Sequence, residues 1–309
     1  MRTVLATSFF IALVSSLGQV EGAIKKVSSS AELQSALDGA RPGDTIQLAS
    51  GVYEGDYVAS GDGPVTVTGD ANSTIVSEGT GFTLRGNKWT LKSIYIKEAN
   101  IAVLVEGNEN NVEHVVIQKV GQGIVVKGQH NKMKSVVISE ASGGIIIEAD
   151  NNQLFYNSVN IQAPSITLEE NTCCGFLDGN VANGRVDVKG SKYNFTGNVA
   201  NHGMYVTGCD NSFSGNVANG ASFPKECATH DLGGNVYRGL GPNDTDPPQP
   251  GQQQQQSQNN HQQQQGSYQQ QGNNYNQHNG QQSGGGQSFP AAVTGSSEGK
   301  MPTCTCTCV

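Results

Sequence analysis

The chain has 309 residues, a net charge of −8 and only 14% charged residues, with 40 glycines and a single tryptophan. An acidic chain with no basic block and few aromatics is no partner for nucleic acid. No stretch after the N-terminus is apolar for the about 18 residues that a membrane helix needs, so no transmembrane segment is expected.

Residues 1–22 carry an Arg near the start, an apolar run from Val4 to Leu17, and small residues ahead of Ala23. This is the pattern of a secretory signal peptide, and it predicts a secreted, extracellular or cell-wall protein. Sequons at Asn72, Asn194 and Asn243 fit a secreted glycoprotein.

Ser29 followed by Glu32 forms a capping box, which predicts a short helix over 31–40 with Ala31, Leu33, Ala36 and Leu37 on one face. Such a helix covers the first edge of a stacked sheet and keeps it from pairing with another chain. Arg41-Pro42-Gly43-Asp44 then stops the helix, and a strand runs from Thr45 to Leu48.

From there a repeat takes over. Leu84, Val105, Val126, Ile147 and Leu168 are 21 residues apart, and the next steps, to Val188 and Val206, are 20 and 18. Ile96, Ile117, Ile138 and Val159 keep the same stride, as do Leu91, Val112, Met133 and Leu154. Columns in phase, made of short alternating strands, predict the coils of a parallel β-helix. No Leu-x-x-Leu-x-Leu frame and no helical period is present, which sets aside a leucine-rich repeat. The fold class expected is all-β: a parallel β-helix over 23–240 with a short N-terminal capping helix.

The segment from Ala31 to Tyr53, with the repeats behind it, resembles the cap and first coil of the pectin-lyase-like superfamily, and most of all the alginate lyase and chondroitinase B group. The resemblance implies a right-handed β-helix and a polysaccharide ligand. It leaves activity open, because the superfamily holds lyases, hydrolases, epimerases and non-catalytic proteins. The alginate lyase pattern of Lys-Ser-x-x-Asn followed by Arg-His-Gly survives only as Lys134-Ser135, and the polygalacturonase Gly-His-Gly only as Asn201-His202-Gly203. The pectate lyase Arg-x-Pro-x-x-Arg is absent.

Stacking turns the stride into contact, so one outward column reads Arg85, Glu106, Lys127, Glu148, Glu169, Lys189, Thr207. Its plainest meaning is a surface ladder of opposite charges that fixes register. Its catalytic meaning gives Lys127 or Lys189 the role of a base that removes the proton α to a uronate carboxyl group, with Arg185 as a neighbouring cation. Glu148, Glu169 and Asp187 are then the candidate oxygen ligands for Ca²⁺. Beside the ladder, Leu104, Val125 and Ile146 form an outward apolar stripe.

Gly-Asn-Val-Ala-Asn recurs at 179–183, 197–201 and 215–219, which predicts one ladder of Asn180, Asn198 and Asn216 and another of Asn183, Asn201 and Asn219. Asn110, Asn131 and Asn152 make a third. Stacked amides bonding from coil to coil are structural features. His202, with no carboxylate at a fixed offset, reads as a surface residue.

Cys209 and Cys227 are one coil of 18 residues apart, which predicts a disulfide. Cys173 and Cys174 either form a vicinal disulfide or stay separate. Residues 241–309, rich in Gln, Asn and Gly, are expected to be a disordered tail. Cys304, Cys306 and Cys308 at its end suit intermolecular disulfides, and hence anchoring or multimerisation.

Three functions fit this sequence: binding of an extracellular, acidic polysaccharide; cleavage of a uronate polymer by β-elimination, as a pectate or alginate lyase would; and a structural role in a matrix.

Overall fold

The computed structural model describes residues 22–70 and 72–238. The expected signal peptide, Asn243, the expected tail and its three cysteines lie outside the described residues.

The helix runs Ser30–Asp38, shorter at its C-terminal end than the capping box alone suggested because Gly39 and Pro42 cut it off. The Ser29 hydroxyl accepts from the Glu32 amide, while the Glu32 carboxylate accepts from the Ser28 amide at 2.7 Å rather than from the amide of the capping residue. Leu33 and Leu37 are buried, but Ala31 is exposed, so the apolar face is narrower than predicted. Asp44 then clasps the first coil, accepting from the Ala23 amide at 2.9 Å, the Arg41 amide at 3.0 Å and the Lys25 ammonium at 2.9 Å. This cationic partner and the two amides hold the Asp44 carboxyl down at about 2.

Beyond the helix every strand is parallel to its neighbours. An eleven-stranded sheet begins at Ile24–Val27 and ends at Thr229–Asp231. A second sheet has seventeen strands, because each coil bends once within it and contributes two runs. The coil therefore has three faces: the first is the eleven-stranded sheet, the second includes Tyr95–Lys97 and the start of Val116–Val126, and the third includes Ile101–Val105 and the end of Val116–Val126. The register is the stride itself: Leu84 pairs with Val105, Val105 with Val126, Val126 with Ile147, Ile147 with Leu168, Leu168 with Val188 and Val188 with Val206. All seven lie in the core, with exposures no greater than 2%.

Many of the bends turn on one residue in the left-handed region. Ser93, His114, Ser135 and Tyr156 make the corner between the first and second faces, with φ between 52° and 56°. In later coils Gly179, Gly197 and Gly215 take over this corner, where a residue without Cβ adopts positive φ at no steric cost. That explains the repeated pentapeptide. Its Gly turns the corner, the first Asn enters the interior, Val points out, Ala points in and the second Asn points out.

The buried asparagines run as a continuous ladder. Asn157 Nδ2 donates to Asn180 Oδ1, Asn180 to Asn198, Asn198 to Asn216 and Asn216 to Asn235, each at 2.9 to 3.0 Å. Each amide also closes a backbone carbonyl, as Asn180 does with Leu154. The outer set is linked as well: Asn183 donates to Asn160, Asn201 to Asn183, and Asn219 to the Asn201 carbonyl. Asn110 and Asn131 accept from the Trp89 and Asn110 amides, and Asn152 accepts from Asn131. Toward the C-terminal coils aromatic rings fill the core, with Phe195 stacked on Phe213 at 4.8 Å and Phe213 edge-on to Phe223.

Cys209 and Cys227 are joined by a disulfide across one coil, with a Cα separation of 5.4 Å. The sulfurs of Cys173 and Cys174 lie 2.8 Å apart, a contact and not a vicinal bond.

Candidate functional site

The third face gathers several of the candidate site residues. In the strand Val186–Val188 both valines are buried, so alternation sends Arg185, Asp187 and Lys189 outward together. Asp187 lies in register between Thr167 and Tyr205. The Arg185 Nε is 3.0 Å from Asp187 Oδ2, and its guanidinium sits 6.0 Å over the Tyr205 ring. One coil away, Glu169 Oε2 accepts from Lys189 Nζ at 2.8 Å. Burial pushes the Asp187 carboxyl up, against the pull of Arg185. The hydrogen bond to Glu169 pushes the Lys189 ammonium up as well, so it stays charged.

The structure therefore gathers Arg185, Asp187, Glu169 and Lys189 and leaves Lys127 outside. Lys127 stands three coils from Lys189 in the same column, about 14 Å at 4.8 Å per coil, too far to act on the same sugar ring. The column is only in part a charge ladder: Arg85 pairs with Glu106 at 2.9 Å and Lys189 with Glu169, but among the described residues Lys127 has no ion pair. Glu148 stands between Lys127 and Glu169 along the stack.

Glu148, Glu169 and Asp187, the candidate Ca²⁺ ligands, lie on successive coils of the third face, with Glu169 beside Lys189 and Asp187 beside Arg185. Among the described residues no three carboxylate, His or Cys side chains come together as metal ligands. His202 turns its Nδ1 to the Asn183 carbonyl, a contact that fixes its ring at the surface.

Sequence reasoning missed Tyr205 and Thr167. The signal was available, since Tyr205 follows Asp187 by 18 residues, the same late-coil step that separates Lys189 from Thr207. The outward stripe of Leu104, Val125 and Ile146 continues into this group, because Ile146 pairs with Thr167 in register. Val125 is only 7% exposed, while Leu104 and Ile146 are part-exposed.

The fold matches an alginate lyase from Paenibacillus sp. str. FPU-7 with a TM-score of 0.58 at 19% identity, over 70% of this chain and 98% of that one. A PL6 family polysaccharide lyase from Pseudopedobacter saltans matches with a TM-score of 0.54 at 12% identity, over 64% of this chain and 60% of that one. The fold is a pectate-lyase-like parallel β-helix. No protein-family model matches the sequence, and no curated protein matches it.

Proposed function

We propose that this protein acts outside the cell on a uronate-bearing polysaccharide and cleaves it by β-elimination on the third face. The observation that carries this reading is the half-buried Asp187 carboxylate set on one outward strand between Arg185 and Lys189. The structural likeness to an alginate lyase supports it, since two neighbouring cations suit a polyanionic chain.

Elimination needs the sugar carboxylate neutralised, a proton removed from the adjacent carbon and a proton returned to the leaving oxygen. Arg185 and Lys189 hold the carboxylate. Asp187, with its pKa raised by burial, is a stronger base than an ordinary aspartate and accepts the C5 proton. The C5–H electron pair becomes the C4–C5 double bond as the C4–O4 bond breaks. The departing oxygen takes its proton from the phenol of Tyr205, the register neighbour of Asp187.

The test is incubation of the purified chain with alginate, polygalacturonate and chondroitin, following the absorbance of new unsaturated ends. Asp187→Asn is expected to lower turnover by about 100-fold or more while leaving binding in place. A wild-type protein that turns over none of the three overturns the lyase reading.

Pairing of both cations favours a second reading, in which the face binds an acidic polysaccharide without cleaving it. Binding of the same polymers without new ends, lost in Arg185→Ala, is its signature.

A further inference from the structure

The outward side of the eleven-stranded sheet is polar through most coils, as at Thr45, Thr66, Thr90, Asn111 and Lys132, which follow one another in register. One patch breaks the pattern. Phe155 and Phe176 project from adjacent strands with ring centroids 5.6 Å apart, and Tyr156 lies 6.5 Å from Phe155. Lys132 Nζ sits 4.9 Å over the Phe155 ring, and the Tyr156 hydroxyl donates to Asp178, so the rings are held in place. Both Phe rings remain part-exposed, and Tyr156 is 58% exposed. Apolar rings at a polar sheet surface cost solvation free energy unless something covers them.

The next strand in register supplies the cover. Phe176 pairs with Asn194, the first residue of the sequon Asn194-Phe195-Thr196. Phe195 is buried at 1%, so alternation turns both Asn194 and Thr196 outward, and both are exposed. The Asn194 side chain thus starts about 4.8 Å, one strand spacing, from that of Phe176. Asn72 differs: it lies in the turn ahead of Ser73–Val76, with its amide bonded to Asp70.

We propose that Asn194 carries an N-linked glycan whose first N-acetylglucosamine lies on Phe176 and Phe155 and shields the aromatic patch. The apolar C–H face of a pyranose ring stacks on an aromatic ring, while its hydroxyls face water. The chemistry requires a lipid-pyrophosphate-linked oligosaccharide as donor: Asn194 Nδ2 bonds to the sugar C1 and loses a proton, and the C1–O bond breaks with the lipid pyrophosphate leaving. The proposal rests on the extracellular reading above.

The test uses the full chain secreted from a eukaryotic host, in an Asn72→Gln/Asn243→Gln background so that one sequon remains. Mass spectrometry of glycopeptides is expected to find Asn194 occupied. Trimming to a single N-acetylglucosamine should leave the melting temperature unchanged, and removing that last sugar, or Asn194→Gln, should lower it by several degrees. In Phe176→Leu, with Phe155→Leu as the second variant, that drop should shrink by at least half. A bare Asn194 in secreted protein, no drop, or an equal drop in the leucine variants overturns the proposal. Retention of the chain inside the cells overturns the extracellular reading and the glycan with it.

Discussion

At the scale of single residues, the two asparagine ladders that look alike in sequence have different weight. Asn180 is 1% exposed, donates to Leu154 and Asn198, and accepts from Asn157. Asn180→Ala strands several buried groups at roughly 1 to 3 kcal/mol each, so a loss of about 3 to 5 kcal/mol is expected in urea unfolding. Asn201→Ala, in the outer ladder, should change stability by less than about 0.5 kcal/mol. Asp44 gives a pH signature. Its pKa is depressed to about 2 in the fold, so its contribution is full above the unfolded value of about 3.9 and is lost as pH falls through 2. Between those limits the wild type should lose stability relative to Asp44→Asn, as measured by melting temperature against pH. Asp187 has the opposite sign: its raised pKa places the acid limb of any turnover above the pH at which an ordinary aspartate titrates.

Among the elements, the corner columns decide tolerance. Gly197 has φ 60° at the same corner where Tyr156 has φ 55°, so the fold accepts a side chain there at a cost. Gly197→Ala should destabilise by about 1 to 2 kcal/mol in denaturant titration. The capping helix obeys packing instead: Leu33 is fully buried, and Leu33→Ala should cost about 2 to 5 kcal/mol. Much of this was legible beforehand. The fixed stride of Val105, Val126 and Ile147 defines the coils because a parallel register makes equal spacing into vertical contact. The grouping at Arg185, Asp187 and Lys189 was half legible, since alternation around two valines places them on one side. What a stride cannot reveal is which charges pair. Lys189 reaches Glu169 while Lys127 reaches neither neighbour, and such choices depend on side-chain rotamers and on burial that only the folded surface defines.

For the molecule as a whole, each coil touches only its neighbours, so stability is close to a sum over adjacent coils. Staples across one step should therefore act locally. Reducing the Cys209–Cys227 link, or Cys227→Ser, removes a loop constraint worth about 3 kcal/mol, and hydrogen exchange should report the loosening mainly in the coils around 209–227. The same geometry has a mechanical side. The described chain enters at one end of the stack and reaches the other, and the rungs between coils lie along the line joining them. A pull on the two ends would load those rungs one after another, like a tape peeled from its roll. In a force-extension trace this should give a sawtooth whose period is the contour of one coil, about 70 Å for 21 residues.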